Sequence, residues 1–166
     1  MSTFRVPVLT ALIAATALLF GCQGPSYVNI PAESGDVAFH SPNGRTVRAV
    51  VAVAIDGIVS QTPLDGPVAL SLPTGAEALT YEAVAAVSGS NVIPAAPDDE
   101  GAQTTARIRV TAVRVRGHKA EVDAVRAKPG GAEQLVTVHL SWNAFSDWGV
   151  TRIRAWNIPV EANVPG

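Results

Sequence analysis

Beyond residue 40 the chain becomes periodic. Val47, Val50, Val51, Ala54, Ile55 and Ile58 fall at i, i+3, i+4, i+7, i+8 and i+11, which draws one continuous apolar stripe along a helix. Ser41-Pro42-Asn43 precedes them and supplies a capping hydroxyl and a proline suited to a first helical turn. Val47, Val51, Val53 and Ile55 also share a strand parity, but the interspersed alanines and the length of the run favour a helix over residues 41–60. After a turn at Pro63-Leu64-Asp65-Gly66, the segment Pro67 to Leu72 alternates briefly and stops at Pro73, the pattern of a short strand. Thr74 and Glu77 then have capping-box spacing. They predict a second helix to about Ser88, with Leu79, Ala83 and Val87 on one face, Tyr81 and Val84 beside them, and Gly89 ending it.

Residues 91–104, with Pro94, Pro97 and the acids Asp98-Asp99-Glu100, have loop chemistry. From Thr105 a period of two takes over. Ala106, Ile108 and Val110 alternate with Arg107, Arg109 and Thr111, and then the phase inverts to Val113 and Val115 against Arg114 and Arg116. A β-bulge near Ala112 reconciles the two phases. Gly117-His118 is the length of a tight hairpin loop and sets Arg114 opposite Glu121 and Val113 opposite Val122, matching charge with charge and apolar with apolar. Lys128-Pro129-Gly130-Gly131 makes the next turn; Val136, Val138, Leu140 and Trp142 alternate after it; and a last strand runs from Val150 to about Ile158. The resulting fold class is α+β: two N-terminal helices packed on a curved antiparallel sheet of about four to five strands.

This order, ending in the strands AEVDAV, QLVTVHLSW and DWGVTRIRAW, resembles the ketosteroid-isomerase-like cone fold, and a cystatin-like helix-on-sheet arrangement fits it as well. The cone-fold resemblance implies a cavity between helices and sheet in which a carboxylate or histidine acts as general acid or base. Asp123 is the nearest candidate for that role. Its neighbours Glu121, Arg114 and Arg116 offer the simpler alternative of a solvated ion-pair ladder.

The first residues change the picture of where the domain sits. Met1 to Arg5 carries one positive side chain and no acid, and an apolar run from Val6 to Phe20 follows, an n-region and h-region of signal-peptide type. The run contains Pro7 and is shorter than the roughly 20 apolar residues that cross a bilayer. It ends Leu19-Phe20-Gly21-Cys22, which resembles the lipobox of bacterial lipoproteins, with Phe20 where a smaller residue is usual. The resemblance implies cleavage before Cys22 and acylation of that cysteine. Gln23, in place of the Asp that retains such proteins at the inner membrane, implies the outer membrane, facing the periplasm. More than one acyl chain is needed for stable anchoring, so Cys22 is the expected lipidation site and the membrane the expected partner. Cys22 is also the chain's single cysteine, so the fold gains no internal disulfide. The organisation expected is a signal peptide over 1–21, a tether over 22–40 and a single α+β domain over 41–166. Within the tether, Tyr27, Val28 and Ile30 retain the option of docking as an extended edge.

The remaining chemistry is sparse. Removing Arg5 with the leader leaves 11 basic against 14 acidic residues, from 12 and 14 in the whole chain; this balance carries no nucleic-acid signature. His40, His118 and His139 have no ligand-type neighbours at metal-site spacing, and Asp98-Asp99-Glu100 lacks the spread of a calcium loop. Nucleophile-elbow, phosphate-loop and dinucleotide motifs are missing, so no catalytic residue, metal or cofactor is expected. Basic residues crowd the strands, whereas no Lys or Arg lies between Arg48 and Arg107. Arg107, Arg109, Arg114 and Arg116 are therefore candidates for contact with an anionic envelope component. Trp142, Phe145, Trp148 and Trp156 cluster near the last hairpin, where aromatics commonly seal a core edge. A noncatalytic binding domain is the expected function, with an envelope protein or polymer as partner; a small-ligand pocket or enzyme of the cone-fold type is the alternative.

Overall fold

The computed structural model describes residues 27–33, 38–61, 66–88, 92–95, 106–127, 132–143 and 146–159. Strand β1 (Tyr27–Ile30) comes first, then helix α1 (Arg45–Gln61), strand β2 (Val68–Ser71), helix α2 (Ala78–Ser88), strand β3 (Val92–Pro94) and four longer strands, β4 (Ala106–Arg116), β5 (Lys119–Ala127), β6 (Glu133–Asn143) and β7 (Ser146–Pro159). All seven strands join one mixed sheet in the order β3-β2-β4-β5-β6-β7, with β1 also on β4.

This corrects the expected fold class. A strand precedes both helices, the helices alternate with strands, and the sheet has seven strands with parallel pairs β2–β3 and β2–β4. The strands that sequence alone does not reveal are very short: β1 has four residues and β3 three, too few for a period of two to stand out. β3 also contains Pro94, which an edge strand tolerates because one side of its backbone needs no partner.

The first helix forms where its stripe predicts. Val47, Val50, Val51, Ala54, Ile55 and Ile58 are all buried, and α1 lies across β4 to β7. Its start is later than expected. Ser41 accepts from the Asn43 amide in a turn, and Arg48 N–H donates to the Gly44 carbonyl, so the helix is entered through Gly44. Gly57 brings α1 close to β7: a Cβ there would lie 3.0 Å from Val150 Cγ2 and 3.3 Å from Ile153 Cδ1.

The second helix departs further from expectation. Gly75 takes a φ of +88°, so Thr74-Gly75-Ala76 is a turn and the expected capping box does not start the helix. Asn43 caps it from a distance: its Oδ1 accepts from Glu77 N at 2.8 Å and Thr80 Oγ1 at 2.7 Å, and its Nδ2 donates to the Gly75 carbonyl at 2.8 Å. Packing α2 chiefly on α1 buries Thr80, Val84 and Ser88. The face expected to be buried points outward, with Leu79 62% and Val87 53% exposed.

In the β4–β5 hairpin, observed and expected register agree, whereas β7 starts at Ser146, four residues before the expected Val150. Arg114 opposes Glu121 and Val113 opposes Val122, Gly117 has a φ of +59°, and the register shifts between Val110 and Ala112. Three further shifts interrupt β6 against β7, and such bulges bend and twist strands. The core is a Val- and Ile-rich layer between α1 and the inner face of the sheet, to which β1 contributes Val28 and Ile30. Tyr27–Ile30 thus belongs to the sheet, pairing antiparallel with Val113–Arg116.

β4 arranges the rest. β2 pairs with its first half at Ala106 to Arg109, β1 with its second half at Val113 to Arg116, both on the edge opposite β5. The bulge lies between them.

Candidate functional site

With the inner face committed to α1, strand alternation sends the intervening side chains to an outer face that neither described helix covers. Arg107, Arg109, Arg114 and Arg116 all share it, because the extra residue at the bulge resets the parity between the two pairs. The structure thus brings the four candidate arginines onto one side of one strand. Lys119 on β5 and Arg152 and Arg154 on β7 join them by register, while Glu121, Asp123 and Glu133 supply acids among them. The face is basic and internally cross-linked.

Its centre is a polar chain running across four strands. The Arg114 guanidinium donates to Asp123 Oδ2 and stands 3.5 Å from Glu121 Oε2. Thr137 Oγ1 donates to Asp123 Oδ1 at 2.6 Å and accepts from Trp156 Nε1 at 3.0 Å. Arg154 lies over the Trp156 ring, its Cζ 3.6 Å from the centroid, a cation–π geometry. Thr111, the bulge residue, donates its hydroxyl to the Asp123 carbonyl. Burial works against the charge on Arg114, but the hydrogen bond and charge of Asp123, with those of Glu121, outweigh it and push its pKa up.

Asp123 is therefore a structural carboxylate on the face away from α1, held by Arg114 and Thr137. It does not line a helix-covered cavity, which is where the cone-fold resemblance implies a general base. Trp156 also departs from expectation: it lies on the outer face, whereas Trp148 packs against the core, so the aromatic residues divide between the two sides. Alternation along β7, offset by its bulges, is the signal that separates them.

The other arginines differ in how far they are engaged. Arg109 approaches Glu133 at 3.7 Å, both side chains about 40% exposed, a pair of little stabilising value. Arg107 also has a partner. Arg116 is exposed, sits 5.8 Å from the Tyr27 ring centroid, and has Lys119 directly opposite it. The sequence offers Tyr27 only as part of an extended edge and counts Lys119, Arg152 and Arg154 among the basic residues of the strands; that they share one face with Arg114 and Arg116 depends on the β1–β4 pairing and on registers across three hairpins.

The histidines are separate from one another. His139 Nδ1 lies 3.4 Å from Glu121 Oε1 on the outer face, His118 is in the β4–β5 turn, and His40 bonds the Asn29 carbonyl through Nδ1 at 2.7 Å. Among the described residues no group of three or more His, Cys, Asp or Glu is placed to hold a metal. Cys22 and Asp98-Asp99-Glu100 lie outside the described residues, and no described helix is long and apolar enough to cross a membrane.

Two open depressions flank the β4 edge. One, of about 470 Å³, occupies the gap between β1 and β2 over the bulge, with Ile30, Pro31, His40, Leu72, Arg109 and Thr111 among its walls. The other, of about 230 Å³, lies over Arg114, Arg116, Lys119, Ala120 and Glu121. No family model, curated protein or solved structure matches the chain.

Proposed function

We propose that the chain is an exported bacterial envelope lipoprotein, acylated on Cys22, whose domain is a noncatalytic binding module that meets an anionic envelope protein or polymer through the outer face of its sheet. The observation that carries the binding reading is the parity reset at the β4 bulge, which gathers four arginines, with Lys119, Arg152 and Arg154, on a face no described helix covers. Electropositive faces of this kind attract anionic partners and speed encounter. The tether reading rests on the lipobox resemblance at Leu19 to Cys22. Asp123, the residue a cone-fold enzyme would need, is bonded to Arg114 and Thr137 on the opposite side from α1, which favours binding over catalysis.

The test is crosslinking in intact cells. Arg107→Gln, Arg109→Gln and Arg116→Gln are combined and Arg114 is kept, because it holds Asp123. The triple variant is expected to fold normally and lose the crosslinked partner; an unchanged crosslink pattern overturns the binding reading. Cys22→Ser is expected to leave an uncleaved, unacylated precursor, and a Cys22→Ser chain that matures and partitions like the parent overturns the tether.

A further inference from the structure

We infer that the β4–β5 hairpin end of the domain is a docking surface for anionic lipid headgroups, those of the membrane that holds the Cys22 acyl chains. This rests on the lipid-anchor reading above and adds an orientation to it. β1 is antiparallel to β4 with Tyr27 opposite Arg116, so the chain enters the fold beside the hairpin turn. Only Gln23 to Ser26 separates Cys22 from Tyr27, and five Cα steps span at most about 18 Å. An acylated Cys22 therefore keeps this end of the sheet within about 18 Å of the bilayer interface, and no longer linker is available to hold the domain off.

What stands there suits that position. Arg116 and Lys119 are exposed and directly opposed across the hairpin, and like charges so placed repel unless an anion lies between or above them. With Arg114 they wall the depression of about 230 Å³, smaller than a usual small-molecule pocket and open as a headgroup phosphate requires. Tyr27, 40% exposed, stacks near Arg116; an aromatic ring with a polar tip is at home at the membrane–water interface. The opposite end of β4, with Arg107 and Arg109, stays clear for the partner proposed above, since seven residues of strand separate Arg109 from Arg116 by about 23 Å.

The chain's two lysines, Lys119 and Lys128, provide an internal comparison. Lys119 begins β5 and Lys128 follows its last residue, so they bracket a strand about 27 Å long. The acylated protein, purified from membranes, is reconstituted into phosphatidylcholine vesicles with and without phosphatidylglycerol and treated with an impermeant amine-acetylating reagent. Molecules facing inward label at neither lysine and leave the Lys119 to Lys128 ratio unaffected. Phosphatidylglycerol is expected to lower that ratio about fivefold, the occupancy change of one basic side chain at an anionic surface. In 1 M salt, where charges are screened within about 3 Å, the ratio recovers. Arg116→Glu restores it at low salt. An equal ratio in both lipids overturns the docking surface. Intact mass of the same preparation separates the two ideas: acyl chains present with an equal ratio refute docking alone, whereas an unmodified Cys22 refutes the tether and the orientation drawn from it.

Discussion

Removing the Asp123 carboxylate distinguishes a structural network from a catalytic one. In Asp123→Ala the Arg114 guanidinium keeps Glu121 at 3.5 Å, so no cation is orphaned, and an ion pair whose side chains are 34% and 20% exposed is worth about 1 kcal/mol. The larger loss falls on Thr137, only 8% exposed. Its hydroxyl still accepts from Trp156 but no longer has Asp123 Oδ1 to donate to, and an unsatisfied buried donor costs about 1–3 kcal/mol. The sum is about 2 kcal/mol, or a fall in Tm of about 6–8 °C for a domain of this size. Asp123→Asn keeps a carbonyl oxygen for Thr137 but sets its amide N–H against Arg114 in place of Oδ2, so it loses the ion pair and its hydrogen bond and should cost about 1 kcal/mol. Urea unfolding followed by tryptophan fluorescence measures both, and Trp156 bonds directly to the network. A cycle with Thr137→Val should return a coupling of about 1 kcal/mol. The reasoning fails if Asp123→Ala lies within about 0.5 kcal/mol of the parent, or if Asp123→Asn is as costly as Asp123→Ala.

Asn43→Ala removes the remote cap of α2 and should cost about 2 kcal/mol in urea unfolding, whereas Asn43→Asp, which keeps the acceptor and places a negative charge at the helix start, should cost less than half of that. Gly57→Leu must displace Val150 and Ile153 and should destabilise by about 1–3 kcal/mol; in Gly57→Ala a gain in helix propensity of up to about 1 kcal/mol offsets the closer approach, leaving Tm nearly unchanged. On α2, Val84→Ala should lower stability by about 1–3 kcal/mol while Leu79→Lys stays within about 0.5 kcal/mol. The reverse order by thermal unfolding would mean that the expected, rather than the observed, face of the helix is buried.

The legible parts of this fold are those where a single element carries its own pattern. The α1 stripe from Val47 to Ile58 repeats over about three turns, and the β4–β5 hairpin declares itself through Gly117 and through matched pairs such as Arg114 with Glu121. Even the bulge shows, because a parity inversion between Val110 and Val113 has few other causes. Legibility fails where tertiary context decides. In α2 both Leu79 and Val84 lie on plausible apolar faces, and the choice falls to the approach of α1 and to Asn43, 37 residues before Thr80 in sequence. Parallel pairing of β2 with β4 leaves no mark in a four-residue strand. Of the candidate site, the arginines of β4 could be read from alternation alone, but the thread from Arg114 through Asp123 and Thr137 to Trp156 depends on three strand registers, and Tyr27 enters only because β1 joins the sheet.

That entry of β1 also determines how a membrane anchor would be coupled to the fold. β1 runs away from the hairpin end, so tension applied at Tyr27 from a bilayer on that side acts along the strand. Along-strand load shears the β1–β4 pairing, engaging its four residue pairs together, whereas a crosswise pull would open them one at a time. The other edge of β1 is also held, since Asn29 N–H donates to the Phe39 carbonyl and Phe39 N–H to the Tyr27 carbonyl, each at 3.1 Å. Val28 and Ile30 meanwhile lie in the core, where each such side chain contributes about 1.5–3 kcal/mol by burial. A strand only four residues long can carry an anchor because it is bonded on both edges, buried on one face and loaded along its axis. On the lipoprotein reading, the same placement brings Arg116 and Lys119 to the membrane side, so attachment and orientation have one structural cause.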